Sequence, residues 1–136
     1  LKIEAMVKMM NGVLLLNKAQ GITSQSAITK VKRILKVKKV GHAGTLDPLA
    51  TGLLVVLIGS ATKLSNYLMA ETKEYIAEIV IGRSTDTLDS EGEILEEKKV
   101  TEDLDVDSAL QSFLGKSKQI PPMYSAIKKD GKKLYE

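Results

Sequence analysis

Cysteine is absent from the 136 residues, which excludes disulfides, thiolate nucleophiles and cysteine-ligated zinc; the single histidine, His42, argues against a histidine-based metal site. No apolar run reaches the roughly 18 residues that a membrane-spanning helix needs. The longest, residues 53–58, reads as a buried strand. The first ten residues carry Lys2, Glu4 and Lys8 and no unbroken apolar core, so they do not read as a secretory signal. A soluble protein with a cytoplasmic location is expected. No internal repeat or low-complexity tract is present.

Acidic residues are scarce where basic ones are dense. Residues 1–50 hold nine Lys/Arg against two Asp/Glu, residues 51–115 five against thirteen, and residues 116–136 six against two. A net charge of +3 therefore conceals blocks of +7, −8 and +4. This asymmetry suggests a polyanion-facing surface made from the basic ends, with a solvated acidic stretch between them. Basic clusters also occur on plain surfaces, so charge alone does not select nucleic acid. With 43% hydrophobic and 27% charged residues, the chain can bury one modest core.

Residues 12–16 form an apolar run that leads into a turn at 17–21, and Thr23 or Ser24 then caps a helix with Ile28, Val31, Ile34 and Leu35 at helical spacing. Lys30, Lys32, Arg33, Lys36, Lys38 and Lys39 are interleaved with that stripe. Residues 53–58 suit a central strand, and 60–70 a short helix with Leu64, Tyr67 and Leu68 inward. Alternation over 73–81 predicts a sheet strand. Residues 82–92 read as a turn, 93–95 as a partner strand, and about 105–114 as a helix ended by Gly115. Pro121 and Pro122 break regular structure across 120–125, and residues 126–135, with Asp130 and Gly131 at the centre, read as a β-hairpin. The mixture predicts an α+β fold around a largely antiparallel sheet with flanking helices.

The segment Gly41-His42-Ala43-Gly44-Thr45-Leu46-Asp47-Pro48-Leu49-Ala50-Thr51-Gly52 puts one carboxylate in a loop with three glycines, directly after the basic helix. Gly41, Gly44 and Gly52 allow positive φ and close approach of a ligand, and Pro48 restricts Asp47 to extended geometry. Such a loop can hold a carboxylate away from the surface. Asp-Pro and glycine-rich stretches are also ordinary turn punctuation. The whole string, however, resembles the catalytic motif of the TruB-type tRNA pseudouridine synthases.

Three further segments are similar to that family, in the same order. They are residues 11–24, Lys73-Glu74-Tyr75 with residues 82–92, and residues 119–128. In the first, Asn17-Lys18-Ala19 stands where the family usually has Asp-Lys-Pro; Lys18 is retained and the rigidity of the turn is in question. Residues 1–9 have no recognised counterpart and read as an N-terminal extension or an alternative start. Residues 10–136 are expected to be the N-terminal part of the family's catalytic domain, without the remainder and the PUA domain.

The resemblance implies conversion of a uridine in the T-loop of tRNA, position 55, to pseudouridine, with no cofactor and no metal. Asp47 is the implied essential carboxylate, adding to the uracil ring, acting at the ribose carbon or serving as a base; the residues do not choose among these routes. Tyr75 aligns with the family's active-site tyrosine, and its ring can stack on an extruded base while its hydroxyl transfers a proton at C5. His42 resembles the histidine that contacts the T-loop. Lys18, Gly44, Thr45, Arg83 and Lys128 complete the implied RNA-binding set. In the family an arginine pairs with the catalytic aspartate, and Lys18 and Arg83 are the cations considered in its place. Thr45 and Thr51 are expected to make loop hydrogen bonds.

Alternatives accompany these assignments. A non-catalytic RNA-binding fragment of such an enzyme is the second reading, and a generic basic module the third. Asp86, Asp89, Glu91 and Glu93 lack the ligand spacing of a calcium loop and read as a turn. Lys128, Lys129, Lys132 and Lys133 could touch phosphate or protect a sheet edge. Self-association through an exposed edge is a further expectation.

Overall fold

The computed structural model describes residues 10–118 and the paired segments Lys128–Lys129 and Lys132–Lys133. Contacts divide the chain into two units, Leu1–Tyr75 and Ile76–Glu136.

The first unit runs β1 (Gly12–Lys18), α1 (Ser24–Leu35), β2 (Val40–His42), β3 (Gly52–Ile58), a 3₁₀ segment (Gly59–Leu64) and α2 (Ser65–Met69). The apolar run at 52–58 becomes the central strand of an antiparallel sheet ordered β1-β3-β2. Register pairs Gly12 with Ile58 through to Lys18 with Gly52, and Val40 with Ile58 through to His42 with Val56.

Helix α1 forms where Thr23, in an extended conformation, accepts a hydrogen bond from the Ser26 amide on its Oγ1 at 3.0 Å. It stops at Lys36, whose left-handed backbone returns its N–H to the Arg33 and Lys32 carbonyls. Ala27, Ile28 and Val31 pack with Val37 against Leu54, Val56 and Ile58, which alternate onto one face of β3. Ile34, expected in this stripe, is 73% exposed. It lies at the margin of the buried arc in the last turn, and Leu35 packs against the core in its place.

Two expectations for the rest of this unit are corrected. Residues 59–69 are a 3₁₀ segment joined to one short helix rather than a single helix, and Leu64 and Tyr67 are exposed, with only Leu68 half-buried. Residues 73–81 form no strand, and Tyr75, Ile76, Ile79, Val80 and Ile81 are all exposed. Alternation yields a strand only where a neighbour takes its backbone hydrogen bonds, and none of the described strands does so here.

In the second unit β4 (Arg83–Thr85) pairs antiparallel with β5 (Ile94–Glu97), so the expected turn at 82–92 begins with a strand. Helix α3 (Val106–Gln111) is shorter than expected and starts at Asp105, whose carboxylate accepts from the Ser108 amide at 2.9 Å. Strands β6 (Lys128–Lys129) and β7 (Lys132–Lys133) pair as the hairpin expected around residues 130 and 131. The irregular stretch expected at 120–125 lies outside the described residues, as do Asp130 and Gly131. Helices and antiparallel sheets together make the α+β class. No helix among the described residues is long and apolar enough to cross a membrane.

Candidate active site

The loop carrying Asp47 connects β2 to the central strand. Sheet-like bonding continues one step into it, from the Ala43 amide to the Val55 carbonyl at 2.9 Å. The chain turns at Gly44 (φ 101°) and re-enters the sheet at Gly52 (φ 112°), conformations that glycine adopts without strain. Gly41, expected to do the same, has no positive φ and lies inside β2.

Asp47 itself is exposed, and its carboxylate makes no hydrogen bond or ion pair among the described residues. Its neighbours are held from a distance. The Ser24 hydroxyl donates to the Leu46 carbonyl and accepts from the Leu46 amide, both at 2.9 Å. On the other side the Pro48 carbonyl accepts from the Gly21 amide at 2.8 Å and from Lys18 Nζ at 3.4 Å. A turn bond from the Ala50 amide to the Asp47 carbonyl, 3.1 Å, closes the tip. The backbone is therefore fixed on both sides of a carboxylate that has no partner among the described residues.

Lys18 does not sit where an RNA-contacting side chain would. It is 1% exposed, and its ammonium also donates to the carbonyls of Ala19 at 3.0 Å and Ile22 at 2.8 Å. Three carbonyls take its three donors, which satisfies a buried charge without a carboxylate. The same bonds close the turn after β1, which lacks the proline usual in the resembled family. Lys18 is thus a pin for the loop and not the cation facing Asp47.

His42, half-buried at the end of β2, sets Nδ1 against the Gly44 carbonyl, while its own carbonyl accepts from the Ser65 hydroxyl at 3.3 Å. A carbonyl only accepts, so Nδ1 carries the proton and Nε2 of the neutral ring is left as an acceptor. Thr45 and Thr51 are exposed and make no side-chain hydrogen bond among the described residues; Ser24 and Lys18 do the work expected of them. Tyr75 is 66% exposed in the irregular stretch that ends the first unit.

Arg83 and Lys128 belong to the second unit. Arg83 Nε pairs with Glu97 at 2.8 Å across β4 and β5, both side chains more than half exposed. The backbone of Lys128 pairs with Lys133. A cavity of about 510 Å³ in this unit is lined by Ile79, Arg83, Leu88, Asp89 and Ile94 among others, and of the site candidates it holds Arg83 alone. The bonds of Ser24 to the Leu46 backbone were not expected from the sequence, where Ser24 entered only as a candidate helix cap. The available signal was the Thr23-Ser24 pair at the helix start, where one hydroxyl caps and leaves the other for a different task.

The family model described as TruB family pseudouridylate synthase (N terminal domain) matches residues 32–136. The chain belongs to this family. Curated relatives agree: it is 55% identical to tRNA pseudouridine synthase B of Bacillus pumilus over 131 residues, covering 94% of this chain and 42% of that protein. It is 53% identical to the same-named protein of Bacillus subtilis, with the same coverage, and 50% identical to that of Psychrobacter arcticus, covering 93% of this chain and 35% of that protein. The chain thus spans less than half the length of these TruB relatives. A solved structure described as an H/ACA RNP bound to a substrate RNA containing 2′-deoxyuridine contains a chain 41% identical, with a TM-score of 0.40, covering 41% of this chain and 18% of that one. The family match includes the Asp47 loop, Tyr75, Arg83 and Lys128, whereas Lys18 and Ser24 precede it.

Proposed function

We propose that the protein isomerises uridine to pseudouridine in tRNA, at position 55 of the T-loop, with Asp47 as the essential carboxylate. The observation that carries this reading is an exposed carboxylate, without a partner among the described residues, between two backbone positions held by hydrogen bonds, in a chain of the pseudouridylate synthase family. In the reaction the N-glycosidic bond breaks, the uracil turns, and a bond forms from C5 to the ribose carbon. C5 loses a proton and N1 gains one, so no electrons are exchanged with a cofactor. Asp47 acts at the ring, at the ribose carbon or as a base, and each route needs the carboxylate held beside the extruded nucleotide.

Tyr75 supplies a stacking face for that base and a hydroxyl for proton transfer at C5. His42 offers Nε2 to an RNA donor, and Gly44 and Thr45 border the approach. No acidic residue lies between Glu4 and Asp47, and Lys30, Lys32, Arg33, Lys36, Lys38 and Lys39 are all exposed along and after α1. This field steers a polyanion toward the loop. Arg83 and Lys128 are proposed as further phosphate contacts. The proposed tRNA substrate is in keeping with a cytoplasmic location.

A second reading, an RNA-binding part without turnover of its own, is favoured by one fact: no cation is paired with Asp47 among the described residues. Both readings are tested by incubating the protein with tRNA and mapping pseudouridine in the product. Pseudouridine at one T-loop uridine is expected. Its absence, with T-arm RNA still bound more tightly than scrambled RNA of equal length, supports the second reading and contradicts the first.

A further inference from the structure

Resting on the function proposed above, we infer that Ser24 is a positioning residue for Asp47: it fixes the backbone at Leu46 so that the carboxylate stays where the nucleotide meets it. Ser24 is the first residue of α1 and is 2% exposed. A hydroxyl has one donor and two acceptor sites, and here it uses donor and acceptor on a single residue 22 positions away, at 2.9 Å each. Bonding both the amide and the carbonyl of Leu46 restrains the peptide planes on either side of it. The second of these planes leads directly into Asp47.

Two observations separate this role from ordinary helix support. Capping of α1 is already done by Thr23, whose Oγ1 takes the Ser26 amide, so Ser24 is not needed for it. The carboxylate of Asp47 has no partner of its own among the described residues, so its direction is inherited from the backbone alone. The Pro48 side stays tied to Gly21 and Lys18 when Ser24 is altered. Loss of the hydroxyl should therefore displace the carboxylate without releasing the loop, and a displacement of about 1 Å costs on the order of a hundredfold in rate.

The test compares Ser24→Ala, Ser24→Thr and Asp47→Asn in a full-length family enzyme whose N-terminal part is this chain, each assayed below its own melting transition. Ser24→Ala should lower kcat by about ten- to a hundredfold with KM and RNA affinity within twofold, and Ser24→Thr, which keeps the hydroxyl, should retain more of kcat. Parent-like kcat in Ser24→Ala beside an inactive Asp47→Asn overturns the inference and leaves the proposed function standing. Turnover by Asp47→Asn removes that function, and the inference with it. Hydrogen exchange in the parent gives a readout that no variant needs to fold for. The Leu46 amide should exchange at least about tenfold more slowly than an unprotected amide, since its acceptor is a buried hydroxyl. Exchange at the unprotected rate overturns the inference.

Discussion

The loop carrying Asp47 and the loop between β4 and β5 each join two antiparallel strands and each carry aspartate, and they are held in opposite ways. In the first, apart from the Ala50–Asp47 turn bond, the holding bonds come from residues 22 to 30 positions away: Ser24 at the start of α1, Lys18 at the end of β1 and Gly21 in the turn between them. In the second, the loop bonds itself. Asp89 accepts from the Thr87 hydroxyl at 2.6 Å and the Glu91 amide at 2.9 Å, and Asp86 accepts from the Glu93 amide at 2.8 Å. A turn that uses its carboxylates for its own closure has none to offer a substrate. Among the described residues nothing occupies the Asp47 carboxylate, because distant residues do the structural work.

That contrast extends to the surroundings. Every buried hydrophobic side chain among the described residues lies in the first unit, while Ile79, Leu88, Ile94, Leu95, Leu110 and Phe113 of the second are exposed. Leu54→Ala should accordingly destabilise by about 2–5 kcal/mol in denaturant unfolding, and Ile79→Ala by no more than about 0.5 kcal/mol. Equal effects would remove the distinction between the units. A smaller loss, about 1–3 kcal/mol, is expected for Lys18→Met, which takes the ammonium donor from the Ala19 and Ile22 carbonyls while Pro48 keeps the Gly21 amide; Thr87→Val in the self-bonded loop should cost about 0.5 kcal/mol or less.

The smallest effect is electrostatic. The Thr87 hydroxyl, followed by the Glu91 amide, holds the Asp89 carboxyl below the ordinary carboxylate value. A lowered value in the folded state means that the contribution to stability is in place above about pH 4 and is lost as pH falls through the folded value. Carbon-13 NMR titration should find the Asp89 midpoint below that of a free aspartate, and Thr87→Val should move it back up. A midpoint unmoved by that substitution would deny the loop its self-bonded character.

These differences also explain which parts of the molecule could be read from the sequence. α1 and β3 were legible because their apolar periodicity corresponds to real burial, with Ala27, Ile28 and Val31 facing Leu54, Val56 and Ile58, whereas β1 was legible only as an apolar run, since Val13, Leu14 and Leu15 are exposed. The alternation at 73–81 is as regular, yet periodicity records a capacity to be half-buried and not the presence of a neighbour, and no described strand pairs there. The Asp47 loop was legible as a motif, while Lys18 was expected as an RNA contact or a cation for Asp47. The burial of Lys18 was not legible, because a lysine that donates to three carbonyls has the same letter as one that reaches for phosphate. The Ser24 bonds to Leu46 span too much sequence to leave a local pattern.

The most direct measurement is release of tritium from C5 when tRNA carrying 5-tritiated uridine is incubated with the protein and, in parallel, with Asp47→Asn. The predicted result is release by the parent that falls at least a thousandfold, on the order expected when a reacting group is removed, while the variant still binds the RNA within about twofold of the parent affinity. Release by Asp47→Asn at the parent rate would contradict the assignment of Asp47 as the reacting carboxylate.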